Sequence, residues 1–130
     1  MGTQINGQPV KPIRRFSVRL ADKDTSLVTG ALGGDFRISD QPITIIEVGA
    51  YVDTAGTTGT MTIDIHDAGT TIMDTNKITI DTGEESSETA ATPPAITDTA
   101  GAADVIYTAI IDAVHTTAAK GLTLWVRYTE

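Results

Sequence analysis

From Ile13 onward the apolar residues of this chain keep a period of two. Phe16, Val18 and Leu20 alternate with Arg15, Ser17 and Arg19. The same beat returns at the other end, where Leu122, Leu124, Val126 and Tyr128 alternate with Thr123, Trp125, Arg127 and Thr129. Successive side chains of a strand point to opposite faces, so this spacing predicts strands with one face buried. Between these ends, the spacing predicts strands at Phe36 and Ile38 and over residues 43–53, 61–66, 70–74, 77–81 and 104–114. Turn residues separate them about every ten positions. Two details break the regularity. In residues 43–53, Ile43 and Ile45 lie on one phase and Ile46, Val48, Ala50 and Val52 on the other, which predicts a β-bulge between Ile45 and Ile46 or a strand that changes sheets there. In residues 104–114 both phases carry large residues, which predicts a central strand covered on both sides.

No segment has a sustained helical period. The expectation is an all-β fold: one antiparallel β-sandwich, jelly-roll-like, of about eight strands over residues 13–130. Residues 30–34 read as a Gly-rich turn, and residues 90–103, with Pro93-Pro94, as an extended crossover. Residues 1–12, punctuated by Gly2, Gly7, Pro9 and Pro12, read as a flexible N-terminal arm. At 130 residues the chain is long enough for a real core, and with aromatics at 5% that core is built from Ile, Val, Leu and Ala. Thr makes up roughly one residue in six, and it suits the outer faces of strands.

Charge and composition exclude several chemistries. The formal net charge is −8, which argues against nucleic acid or an anionic membrane as partner. There is no Cys, so thiolate zinc sites, disulfides and a Cys nucleophile are excluded. The N-terminus lacks an apolar signal-peptide core, and no stretch approaches the length of a membrane span.

Asp64, His66 and Asp67 raise the one local question of chemistry. They are either ligands or catalytic groups, or the outer face and turn of a hairpin. The Asp67-Ala68-Gly69 turn favours architecture, with Asp64 and His66 as neighbours on a solvent-facing surface. No phosphate loop, nucleophile elbow or calcium-loop pattern occurs. The sequence therefore predicts no enzyme and no cofactor; the loop carboxylates Glu84, Glu85, Asp98 and Asp104 are the groups a structural calcium ion would use. Arg14, Arg15 and Arg19 form the basic cluster, either a solvated face or a contact for an acidic partner. Trp125 and Arg127 lie on the polar phase of the last strand. They are interface anchors if that face is exposed in the monomer; otherwise the Trp packs beneath a loop.

The segments KITIDTGEESSETAATPPAITDTA, DVIYTAIIDAV and HTTAAKGLTLWVRY, within residues 77–129, carry a resemblance. The run K-x-T-I-D-x-G-E … T-A-A-T-P … I, a following strand with spaced Asp and Val, and the turn T-T-x-x-K-G-L resemble small β-rich virion proteins of tailed bacteriophages. Residues 56–67, with a turn and a T-I-D-I strand, fit the same pattern. The resemblance covers roughly residues 45–129 and departs at Gly101-Ala102-Ala103, Ala109 and Ile110. It extends to proteins described as head fibres, decoration proteins and tail fibres. It implies a β-sandwich that forms homo-oligomers, usually trimers, on a virion. A short arm and no shaft fit a capsid decoration (cement) protein, made in the bacterial cytoplasm and bound to the major capsid protein on the head surface. In that reading Arg14, Arg15 and Arg19, with the arm, face the capsid. The alternative is a tail-fibre or baseplate module contacting a host surface receptor.

Overall fold

A computed structural model describes residues 4–5, 8–9 and 11–130. The strands, in chain order, are β1 (Gln4–Ile5), β2 (Gln8–Pro9), β3 (Arg14–Ser26), β4 (Gly30–Phe36), β5 (Ile43–Tyr51), β6 (Met61–Asp67), β7 (Thr70–Thr71), β8 (Ile78–Ile80), β9 (Ala100–Gly101), β10 (Tyr107–Ala113) and β11 (Lys120–Thr129). One turn of 3₁₀ helix, Ser87–Thr89, is the sole helical element among the described residues. All pairings between strands are antiparallel. One sheet has the order β3-β11-β5-β9. The other runs β4-β10-β6-β7, with β8 also paired to β6. From β3 to β6 consecutive strands alternate between the sheets, and β10 and β11 return to fill the centre of each, so the two sheets form an antiparallel sandwich.

The alternating apolar residues explain why the sheets face each other. Leu122, Leu124 and Val126 from β11 and Ile45, Val48 and Ala50 from β5 form one wall. Met61, Ile63, Ile65, Ile78, Ile80 and Ile111 form the other, and all are buried in one core. Burying one such side chain contributes about 1.5–3 kcal/mol. At one end of the core the aromatics bridge the sheets: Phe16 on β3 stacks on Phe36 on β4 at 5.6 Å, and Phe36 stacks on Tyr107 at 5.8 Å.

The predicted bulge in β5 is present. Arg127 pairs with Glu47 but Tyr128 pairs with Ile45, which leaves Ile46 as the extra residue. The bulge turns Ile46 outward, where it is 46% exposed, so it leaves the face it was expected to share with Val48, Ala50 and Val52, which are buried. Within residues 104–114, Tyr107–Ala113 form a central strand, β10, between β4 and β6, while Asp104 lies in a turn at φ 56°. The outer phase of β10, Thr108 and Ile110, is only half-buried.

Two loop expectations also change. Residues 30–34 are not a turn: Gly30 and Ala31 pair with Ile111 and Ile110 as the start of β4. The edge of β10 supplied a partner that local Gly content could not reveal. The crossover over residues 90–103 ends in β9, which adds to β5 at Ile43 and Thr44. The expected arm, residues 1–12, lies partly outside the described residues. Within it, Gln4–Ile5 pairs with Gln8–Pro9.

Candidate docking face

The outer face of the β3-β11-β5 sheet is laid out by strand register. Arg127 pairs with Arg15 on one side and Glu47 on the other; Trp125 lies between Ser17 and Gly49; Thr123 lies between Arg19 and Tyr51. Side chains opposite one another in a ladder share a face. Arg15, Arg19, Trp125 and Arg127, drawn from opposite ends of the sequence, therefore form one surface. Arg14 belongs to the other phase of β3 and sits at the sheet's end, 3.4 Å from Glu130.

Each cation on this face has a defined partner. Arg127 donates to Glu47 at 3.0 Å. Arg19 donates to both carboxylate oxygens of Asp53 at 3.2 Å, and that hydrogen bonding raises the guanidinium pKa further above its usual value. The Arg15 guanidinium lies over the Trp125 ring, 4.8 Å from its centroid, a cation–π contact. These arginines are partly exposed, so the pairs orient the charges more than they stabilise the fold.

Trp125 does not meet the condition set for an interface anchor. It is 3% exposed, because Arg15 covers one side and β5 offers a bare backbone at Gly49 on the other. The exposed apolar groups beside it are Ile46 and Tyr51, at 46% and 41%. Neither was singled out as a site residue. Gly49 was legible in principle, since a glycine inside a strand pattern marks a close approach.

Beyond Trp125 the face opens into a cleft of about 290 Å³, lined by Ile46, Glu47, Val48, Glu88, Pro93 and Pro94 among others. The 3₁₀ turn closes one end. Ser86 caps it, accepting from the Glu88 amide at 3.1 Å. Ser87 accepts from the Ala50 amide at 2.9 Å, pinning the turn to the edge of β5.

The Asp64 expectation is overturned. Asp64 is 4% exposed, not solvent-facing. Its carboxylate accepts from Lys77 Nζ at 2.8 Å and from the Thr71 hydroxyl at 2.5 Å, and lies 3.0 Å from His66 Nε2. Lys77 also donates to the Met73 carbonyl at 2.8 Å. Burial pushes the Asp64 pKa up, but the bonds from Lys77, Thr71 and His66 prevail and hold it below its usual value. A hydroxyl-to-base relay needs the imidazole between hydroxyl and carboxylate. Here the carboxylate is in the middle, so the cluster ties β6 to β7 and to the segment leading into β8. Asp67 is the turn residue expected: Ala68 and Gly69, both at positive φ (48° and 94°), make the two-residue hairpin loop.

Among the described residues, no group of three or more His, Cys, Asp or Glu side chains is placed to hold a metal ion, and no helix is long and apolar enough to cross a membrane. No family model, curated protein or solved structure matches the chain.

Proposed function

We propose that the chain is a structural protein of a tailed-bacteriophage virion, a decoration protein bound to the head surface. On this reading it assembles as a homo-oligomer, a trimer by the resemblance, and contacts the major capsid protein through the outer face of β3, β11 and β5. It is made in the bacterial cytoplasm and carries no catalytic role. The observation that carries the reading is the gathering of Arg15, Arg19, Arg127, Ile46 and Tyr51 on one face of a small antiparallel sandwich. Such a mixture of oriented guanidinium groups and exposed apolar side chains suits a protein surface as partner. The sequence resemblance over residues 45–129 points the same way.

Antibody labelling of intact particles in the electron microscope tests it. Label spread over the head is the expected result. Label confined to the tail tip would replace it with host-surface binding, and absence from particles would overturn both.

A further inference from the structure

We propose that the cleft beside Trp125 is a strand-addition site for the N-terminal β1–β2 segment of a second copy of this chain. The inference rests on the assembly role proposed above and supplies the contact between copies.

The first observation is an open stretch of sheet edge. β9 covers β5 at Ile43 and Thr44, and the Ile45 amide donates to the Thr99 carbonyl at 2.7 Å. Farther along, the Ala50 amide is satisfied by Ser87, and the Val52 amide donates to the Glu85 carbonyl at 2.8 Å. Residues 46–49 lie between these covers. In an antiparallel ladder, alternate residues turn their N–H and C=O groups to the same side. Val48 is in step with Ala50 and Val52, so its backbone groups turn away from β11 and into the cleft that Val48 lines. Backbone groups that face a walled cleft are a site for another strand, with side-chain pockets on either side.

The second observation is a strand pair that lacks a sheet. Among the described residues, β1 and β2 pair with each other and with no strand of either sheet. A two-stranded pair this short is marginal in water without a third strand or a packing face.

Charge supports the pairing at one point. β1 and β2 are themselves uncharged, and the cation next to them is Lys11, whereas Arg14, Arg15 and Arg19 belong to β3. The cleft presents Glu88 alongside Glu47, which already holds Arg127, and Lys11 sits two residues past β2. An extended segment seated along residues 46–49 brings its Lys11 toward these carboxylates.

The chain has no native Cys, so pairing can be read by disulfide trapping. Two full-length variants, Gln4→Cys and Ile46→Cys, are oxidised separately and then as a mixture. The expected result is a covalent heterodimer in the mixture well above the homodimer formed by either variant alone, and weakened by Glu88→Lys. Light scattering of the untrapped wild type should show an oligomer, and a variant lacking residues 1–12 should be a monomer with unchanged Trp fluorescence. No excess heterodimer would overturn the proposal, as would an oligomer that persists without residues 1–12. A double variant that closes its disulfide only within one chain would overturn the role of a second copy. All these readouts are in solution, so they fail independently of where the protein sits on a particle.

Discussion

The indole of Trp125 lies so close to the backbone of Gly49 that a Cβ at position 49 would be 2.2 Å from Cζ2. This contact lets the chain's single Trp lie flat on the outer face of a sheet and still be 3% exposed. Gly49→Ala should push the ring off β5 toward the cleft. The expected cost is about 1–3 kcal/mol, the range for overpacking, measured by denaturant unfolding. Trp emission, which here reports one residue, should shift to the red. Unchanged emission would show that the ring has other room to move.

Lys77→Met should destabilise the fold by about 3 kcal/mol, because it leaves the Asp64 carboxylate buried without its cation. The double variant Asp64→Leu, Lys77→Met should recover much of that loss. Asp64 has a lowered folded pKa. Its contribution is therefore present above the unfolded pKa of about 3.9 and is lost as pH falls through the folded value. Wild-type stability followed by urea titration should show that acid loss, and the double variant should show less of it.

Asp67 behaves with the opposite sign. Burial, helped by the nearby Asp98 charge, raises its pKa. A raised carboxyl pKa favours the protonated folded form, so the stabilising contribution is present at low pH and lost as pH rises through the folded value. Asp67→Asn should raise the melting temperature at pH 7, with the gain shrinking to nothing below about pH 4. Tyr107, whose phenol burial and these two carboxylates push up to about 12, should stay neutral throughout. An equal gain at both pH values would show that the Asp67 charge is not the cause.

Ala68 sits at φ 48° in the β6–β7 turn, a left-handed conformation that costs a residue with a Cβ about 1–2 kcal/mol. Ala68→Asn creates the Asn-Gly pair preferred in such turns. Stability should rise by about 0.5–1 kcal/mol, measured by thermal melts with the wild type alongside.

If the arginine face meets a capsid, charge reversal should act on binding rather than folding. Arg19→Glu and Arg127→Glu should each leave the unfolding midpoint nearly unchanged, since solvent-screened ion pairs contribute little to folding. Both should weaken sedimentation of the protein with undecorated heads. Undiminished co-sedimentation of the double reversal would remove this face from the contact.

What the sequence determined by itself was local. A period of two needs only neighbours along the chain, so the inner faces around Phe16, Ile63, Ile78 and Leu124, the bulge at Ile46 and the Asp67-Ala68-Gly69 turn were legible without any partner strand. The all-β class followed from the same pattern. Register and cover were not legible, because both depend on segments far apart in sequence. Only the tertiary structure placed Arg15 and Arg19 beside Trp125 and Arg127, by pairing β3 with β11. The covering of Asp64 by Thr71 and Lys77 turned an outward-phase carboxylate into a buried ion pair. Gly30 became part of a strand because the edge of β10 was there to receive it. An outward phase fixes direction and not exposure: whether Trp125 meets solvent depends on the bare backbone at Gly49 and the guanidinium of Arg15, which the fold alone brings to it.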